Sequence, residues 1–212
     1  MRKDRDFEIE FYNWFLICNF NANSYKTMTE LATIITQTTG YKNSRQAAAN
    51  YVMKHTELMD DFMQICFENT NPDHYKACWV MELIALEKLD SFQNYLPLIC
   101  SKSKTLSNES AIRPLSKVIF LLIEAHYKTP KNEIHFTETQ RQELIEINFD
   151  WLITDTKVAS KVYAMRSLLL LGKEYHWIHP ELQTILAKDF STHTAAYKSV
   201  SKHILKKINH QK

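Results

Sequence analysis

Glycine occurs only twice among the 212 residues of this chain, as Gly40 and Gly172. That scarcity restricts the fold more than any other feature. Tight hairpins need residues at positive φ, and loops that wrap phosphate need backbone without a Cβ. Two glycines cannot supply the turns of a many-stranded sheet, and they exclude a glycine-rich nucleotide loop. The expectation is an all-α protein.

The remaining composition fits one soluble globular domain spanning residues 1–212. Apolar residues make up 45% and charged residues 24%. No apolar run approaches the roughly 20 residues of a membrane-spanning helix. The opening MRKDRDFEIE turns acidic too soon for a secretory signal. Cys18, Cys66, Cys78 and Cys100 each lie in an apolar segment, and none belongs to a Cys-x-x-Cys pair. They read as reduced core thiols in a reducing, cytoplasmic setting.

Four segments repeat one pattern. They are KACWVMELIAL from Lys76, RPLSKVIFLLI from Arg113, KVYAMRSLLLL from Lys161 and KSVSKHILKKI from Lys198. Three positions after the base stand Trp79, Ser116, Ala164 and Ser201. Seven positions after it stand Leu83, Phe120, Leu168 and Leu205, and ten after it Leu86, Ile123, Leu171 and Ile208. These offsets share one face of an α-helix, where small residues admit a close neighbour and large ones fill a core. The anchors are 37, 48 and 37 residues apart, and the long interval contains the polar YKTPKNEIHFTETQ. A loop insertion near residues 129–136 accounts for the excess.

Each of these helices has an apolar-striped partner before it: residues 57–68, 90–101, 137–154 and 180–190. Thr137 with Gln140 fits a capping box, and Asn71-Pro72 marks a helix start. A period near 40 residues is that of paired-helix repeats. YLPLIC followed by SNESAIRPLSKVIFLL, and DTKVASKVYAMRSLLLLG, resemble HEAT repeats over roughly residues 57–208. The resemblance implies an α-α superhelix, a right-handed solenoid of about four to five helix pairs. Pro114, inside a second helix, departs from that pattern. The tail from Lys161 to Phe190 is also similar to short helical proteins labelled adenylosuccinate lyase. Lyases of that class are longer and carry a Ser-containing, Gly-bearing signature loop, which this sequence does not have.

Residues 1–56 read as N-terminal helices, a diverged repeat or cap. Arg45, Ala48 and Val52 repeat the common offsets, and Phe7, Phe11, Trp14 and Cys18 form an apolar stripe.

Catalytic motifs are sparse. Neither a Gly-x-Ser-x-Gly elbow nor a His-Glu-x-x-His motif occurs. His176 and His179, with Glu174 and Glu181 nearby, read as turn residues rather than metal ligands, and no cofactor is expected. Trp177 reads as an apolar plug under that turn. Trp79, Trp151 and Trp177 would line a concave surface if the chain resembled the HEAT-like alkylpurine DNA glycosylases. Asp150 or Asp155 would then be the acid, and Arg113 or Arg166 a phosphate contact.

Charge is uneven along the chain. Residues 160–212 carry nine Lys/Arg and three Asp/Glu, giving +6; residues 1–159 carry seventeen and twenty-one, giving −4. Lys198, Lys202 and Lys206 form one stripe at four-residue spacing. The binding candidates are therefore Arg113, Lys161, Arg166, Lys198, Lys202 and Lys206. The reading is a non-catalytic scaffold for macromolecular recognition, most naturally of a protein. The alternative is a nucleic-acid-binding protein.

Overall fold

The structure, a computed structural model, describes residues 29–128, 134–189 and 193–210. The expectations for Phe7, Phe11, Trp14 and Cys18 lie outside them. The described residues are helical and contain no strand. Helix α1 is described over residues 29–37, followed by α2 (Lys42–Lys54), α3 (Met59–Phe67) and α4 (His74–Glu87). A 3-10 segment (Leu89–Tyr95) leads into α5 (Leu96–Ser103). Next come α6 (Glu109–Lys128), α7 (Glu138–Ile153), α8 (Val158–Leu171), α9 (Ile178–Asp189) and α10 (Ala195–Asn209).

Local chemistry explains several boundaries. At the start of α7, Gln140 N–H donates to Thr137 Oγ1 at 3.3 Å, and Thr137 N–H donates to Gln140 Oε1 at 2.9 Å. This is the capping box read from the sequence, and it satisfies two N–H groups that have no helical partner. The expected single helix over residues 90–101 is instead a 3-10 segment followed by α5. Pro97 occupies the first turn of α5, where its fixed φ suits a helix start and its missing N–H costs nothing.

The even-numbered helices pack in series: α2 on α4, α4 on α6, α6 on α8 and α8 on α10. The odd-numbered α3 packs on α4, α7 on α8, and α9 on both α8 and α10, while α5 packs on α7. One layer of even helices is thus covered by odd helices, and the core lies between them. All four aligned bases fall on even helices. Ser116, Ala164 and Ser201, three positions beyond their bases, are fully buried. The side chains ten positions beyond, Ile123, Leu171 and Ile208, are buried too.

Helix α4 breaks that register. Leu86, assigned to the core face, is 51% exposed. Trp79 is only half-buried, while Ala77 and Ile84 are fully buried. The small residue of α4 is therefore Ala77, with Ile84 seven positions on. An indole is too large for the close helix contact that Ala77 makes possible.

Trp79 does something else. Pro114 has no N–H, so the carbonyl of Ser110, four residues earlier, loses its helical donor. Trp79 Nε1–H reaches from α4 and donates to Ser110 O at 3.0 Å. A proline inside α6 is thus compensated by its neighbour in the layer. Tyr75 supports the indole edge-on, with ring centroids 5.0 Å apart. Trp79→Phe should cost about 1 kcal/mol, the net worth of one hydrogen bond. Pro114→Ala supplies a backbone donor to Ser110, so the penalty of Trp79→Phe should shrink in that background. A double-mutant cycle by urea denaturation measures the difference.

Candidate functional site

The sequence candidates separate into exposed and buried groups. Arg113 on α6, Arg166 on α8, and Lys202 and Lys206 on α10 are exposed, and Lys198 is half-buried. They belong to α6, α8 and α10, which pack in series.

Arg166 is the best-defined member. Its guanidinium carbon stands 5.9 Å from the centre of the Phe120 ring and 5.8 Å from that of Tyr163. The two rings lie 5.8 Å apart, tilted by 36°. Phe120 comes from α6 and Tyr163 from α8, so the cluster spans the junction of the two helices. Attraction between a cation and an aromatic face holds the guanidinium in a preferred place while leaving its donors to solvent. Two acids of α4 and α6 are already engaged, Glu82 with Lys117 at 2.7 Å and Glu124 with Lys128 at 2.9 Å. The sequence reading took Phe120 for a core residue by its offset. The signal it passed over was Tyr163, three residues before Arg166 and hence beside it on one helix face.

Lys161 does not join this surface, which corrects its assignment as a binding residue. It is 6% exposed, and its Nζ donates to Leu152 O at 2.8 Å. Leu152 lies in the last turn of α7, where carbonyls have no helical donor. Lys161 is a cap for α7.

The remaining candidates are dispersed. Trp151 is 4% exposed and belongs to the core, and the exposed Asp150 and Asp155 flank the end of α7. Trp177 is 57% exposed, not a plug under the turn; it stacks on Phe149 at 5.8 Å and 18°. The turn is filled by His179, whose Nε2–H donates to Leu169 O at 3.1 Å. His176 is exposed, and Glu174 is committed elsewhere. Its two carboxylate oxygens receive Tyr127 OH at 2.8 Å and an Arg141 guanidinium nitrogen at 3.2 Å.

Arg141 anchors a polar clasp that the sequence reading missed. It also donates to Phe136 O at 2.7 Å and to Tyr175 OH at 3.2 Å. His135 N–H donates to Gln93 Oε1 at 2.8 Å, and Ile134 and Phe136 are buried. The polar insertion therefore ends in two core residues tied down by Arg141. His126 Nδ1 stands 3.3 Å from Ile134 O, and burial lowers the imidazole pKa, favouring the neutral ring. Burial first, and then the Glu174 carboxylate, push the Tyr127 phenol upward. Every group of the clasp named here has a partner, so it closes the structure rather than presenting reactive groups.

No protein-family model, curated protein or solved structure matches this chain. Among the described residues, no helix is long and apolar enough to cross a membrane.

Proposed function

We propose that this chain is a non-catalytic helical-repeat scaffold that binds an acidic protein segment on the exposed face of α6, α8 and α10. In this reading the helices form a right-handed α-α superhelix of HEAT-like pairs, an architecture suited to wide binding surfaces. The observation that carries the proposal is Arg166, poised over Phe120 and Tyr163 at the α6–α8 junction. Arg113 on α6 and Lys202 and Lys206 on α10 add exposed positive charge to the helices that flank α8. A pre-oriented guanidinium favours bidentate pairing with carboxylates, and lysines around it add attraction at range.

Nucleic acid is the second reading, favoured by the combination of bases with aromatic rings. Phe120 and Tyr163 are half-buried and sit beneath Arg166, an arrangement less suited to stacking unpaired bases than to receiving carboxylates.

Fluorescence anisotropy with a Glu-rich peptide and a single-stranded DNA, at low and moderate salt, tests the choice. The peptide should bind at low salt. The triple variant Arg166→Glu, Lys202→Glu, Lys206→Glu should weaken it by at least roughly tenfold, as expected when attraction becomes repulsion. Tighter binding of DNA, falling steeply with salt, would replace the protein reading with the nucleic-acid one. Failure of both probes to bind would overturn the assignment of this face.

A further inference from the structure

A cavity of about 190 Å³ opens where α2, α3, α4 and the 3-10 segment meet. No residue of the recognition face lines it. Its floor is apolar. Val52 comes from α2, Met59 from α3 and Ile84 from α4, and all three are buried. The half-buried Met53 and Tyr95 complete the walls. Its mouth is polar, formed by the exposed Lys88, Ser91 and Asn94. Among the described residues, no carboxylate lines the cavity.

The chain path places a cation at that mouth. Helix α4 ends at Glu87, and Lys88 N–H donates to Ile84 O at 2.7 Å. The backbone then bends into the 3-10 segment, where Ser91 Oγ–H donates to Lys88 O at 2.7 Å. Lys88 Nζ reaches back to Met53 O, in the last turn of α2, at 3.4 Å. That contact is longer than an ordinary N–H···O bond, and Lys88 forms no ion pair with a described residue. The Asn94 carboxamide makes no hydrogen bond to a described residue. Tyr95 OH, by contrast, donates to Asp60, so that phenol and that carboxylate are engaged with each other. The donors left at the mouth are the Lys88 ammonium and the Asn94 amide.

We propose that this cavity binds a compact aromatic monocarboxylate, one ring bearing one carboxylate. An apolar cavity of about 150 Å³ accepts benzene, so the volume suits a single ring. The floor favours an aromatic ring over an aliphatic chain. The thioethers of Met53 and Met59 make favourable contacts with ring edges, and Tyr95 adds an aromatic neighbour. The mouth favours an anion. The Lys88 ammonium supplies a charge-assisted hydrogen bond and Asn94 a second donor, the few polar groups that orient a ligand in an apolar pocket. A neutral ring gains the floor without the charge. A ring with carboxylates at both ends would press one of them, unpaired, against the apolar floor.

The test titrates the full chain, carrying carbon-13 in its methionine methyl groups, with phenylacetate and with its neutral counterpart phenylacetamide. Phenylacetate should move the Met53 and Met59 methyl signals with a Kd of about 1 mM, the range for a ligand of this size. Phenylacetamide should bind roughly tenfold more weakly, having lost the charge-assisted bond. Lys88→Gln changes an exposed side chain. It should bring the acid down to the affinity of the amide and leave the amide unchanged. Arg166→Glu should alter neither, which separates this site from the recognition face. Unmoved Met53 and Met59 signals at about 10 mM phenylacetate, roughly ten times the expected Kd, would overturn the proposal. So would equal affinity for acid and amide, a difference that survives Lys88→Gln, or one that vanishes in Arg166→Glu.

Discussion

Gly172→Ala should destabilise this protein by about 3 kcal/mol, the scale of overpacking a close contact and losing a buried hydrogen bond. Gly172 ends α8 with φ −64°, a conformation open to any residue. Space, not backbone freedom, requires glycine there. A Cβ at this position would stand 2.2 Å from His179 Cδ2 and 2.3 Å from its Nε2. The ring cannot retreat without giving up its bond to Leu169 O. Thermal melting should show Tm lowered by roughly 6–12 °C for a domain of this size. His179→Ala should remove most of the difference between glycine and alanine at residue 172, because the atoms in conflict are then absent. Gly40→Ala is the control: nothing lies within 4 Å of its Cβ position, and no described glycine has positive φ. That substitution should be neutral or slightly stabilising, by up to about 0.5–1 kcal/mol through the unfolded chain. An equal loss at both positions would contradict this account of the α8–α9 turn.

Lys161 is the second position where a single change has a large effect. Its ammonium is the donor that α7 lacks at its last turn, and it is delivered from the first turn of α8. Lys161→Met preserves much of the apolar stem but leaves Leu152 O without this donor. The expected cost is about 2 kcal/mol, the value of a charge-assisted hydrogen bond. Lys161→Glu places a carboxylate against a carbonyl and should cost about 4 kcal/mol or more. Urea denaturation of the two variants gives the order. At temperatures where the methionine variant is folded, its affinity for an acidic peptide should equal that of the parent. A surface role for Lys161 would reverse the result, with stability unchanged and binding reduced.

These positions show what the sequence made legible. The all-helical class followed from two glycines, and the partner helices followed from apolar spacing and the Thr137–Gln140 box. Those are local properties, carried by residues close in the chain. The four basic anchors aligned on alternate helices for the same reason, but their offsets could not reveal individual environments. Lys161 and Arg113 occupy equivalent places in the pattern, and one is buried while the other is exposed. What differs is the end of α7, which Lys161 meets, and that is a tertiary fact. Trp79 lies off the core register and donates to the carbonyl that Pro114, 35 residues later, leaves without a helical donor. The clasp around Arg141 joins α6, α7, the Gln93 segment and the turn before α9, so no short window of sequence contains it. The cluster of Arg166, Phe120 and Tyr163 was likewise split between two helices. Half of it, the i, i+3 pair of Tyr163 and Arg166, could have been read from α8 alone.

The central claim is that the α6–α8–α10 face receives an acidic partner, and carbodiimide coupling locates that contact most directly. The reagent joins lysine amines to peptide carboxylates with no spacer, so each product marks a site of contact. With a Glu-rich peptide at low salt, the account predicts products at Lys202 and Lys206. The equally exposed Lys54, Lys102 and Lys104 should react little, and Arg166→Glu should reduce coupling at Lys202 and Lys206. Coupling spread evenly over exposed lysines, or concentrated on Lys54, Lys102 and Lys104, would contradict it.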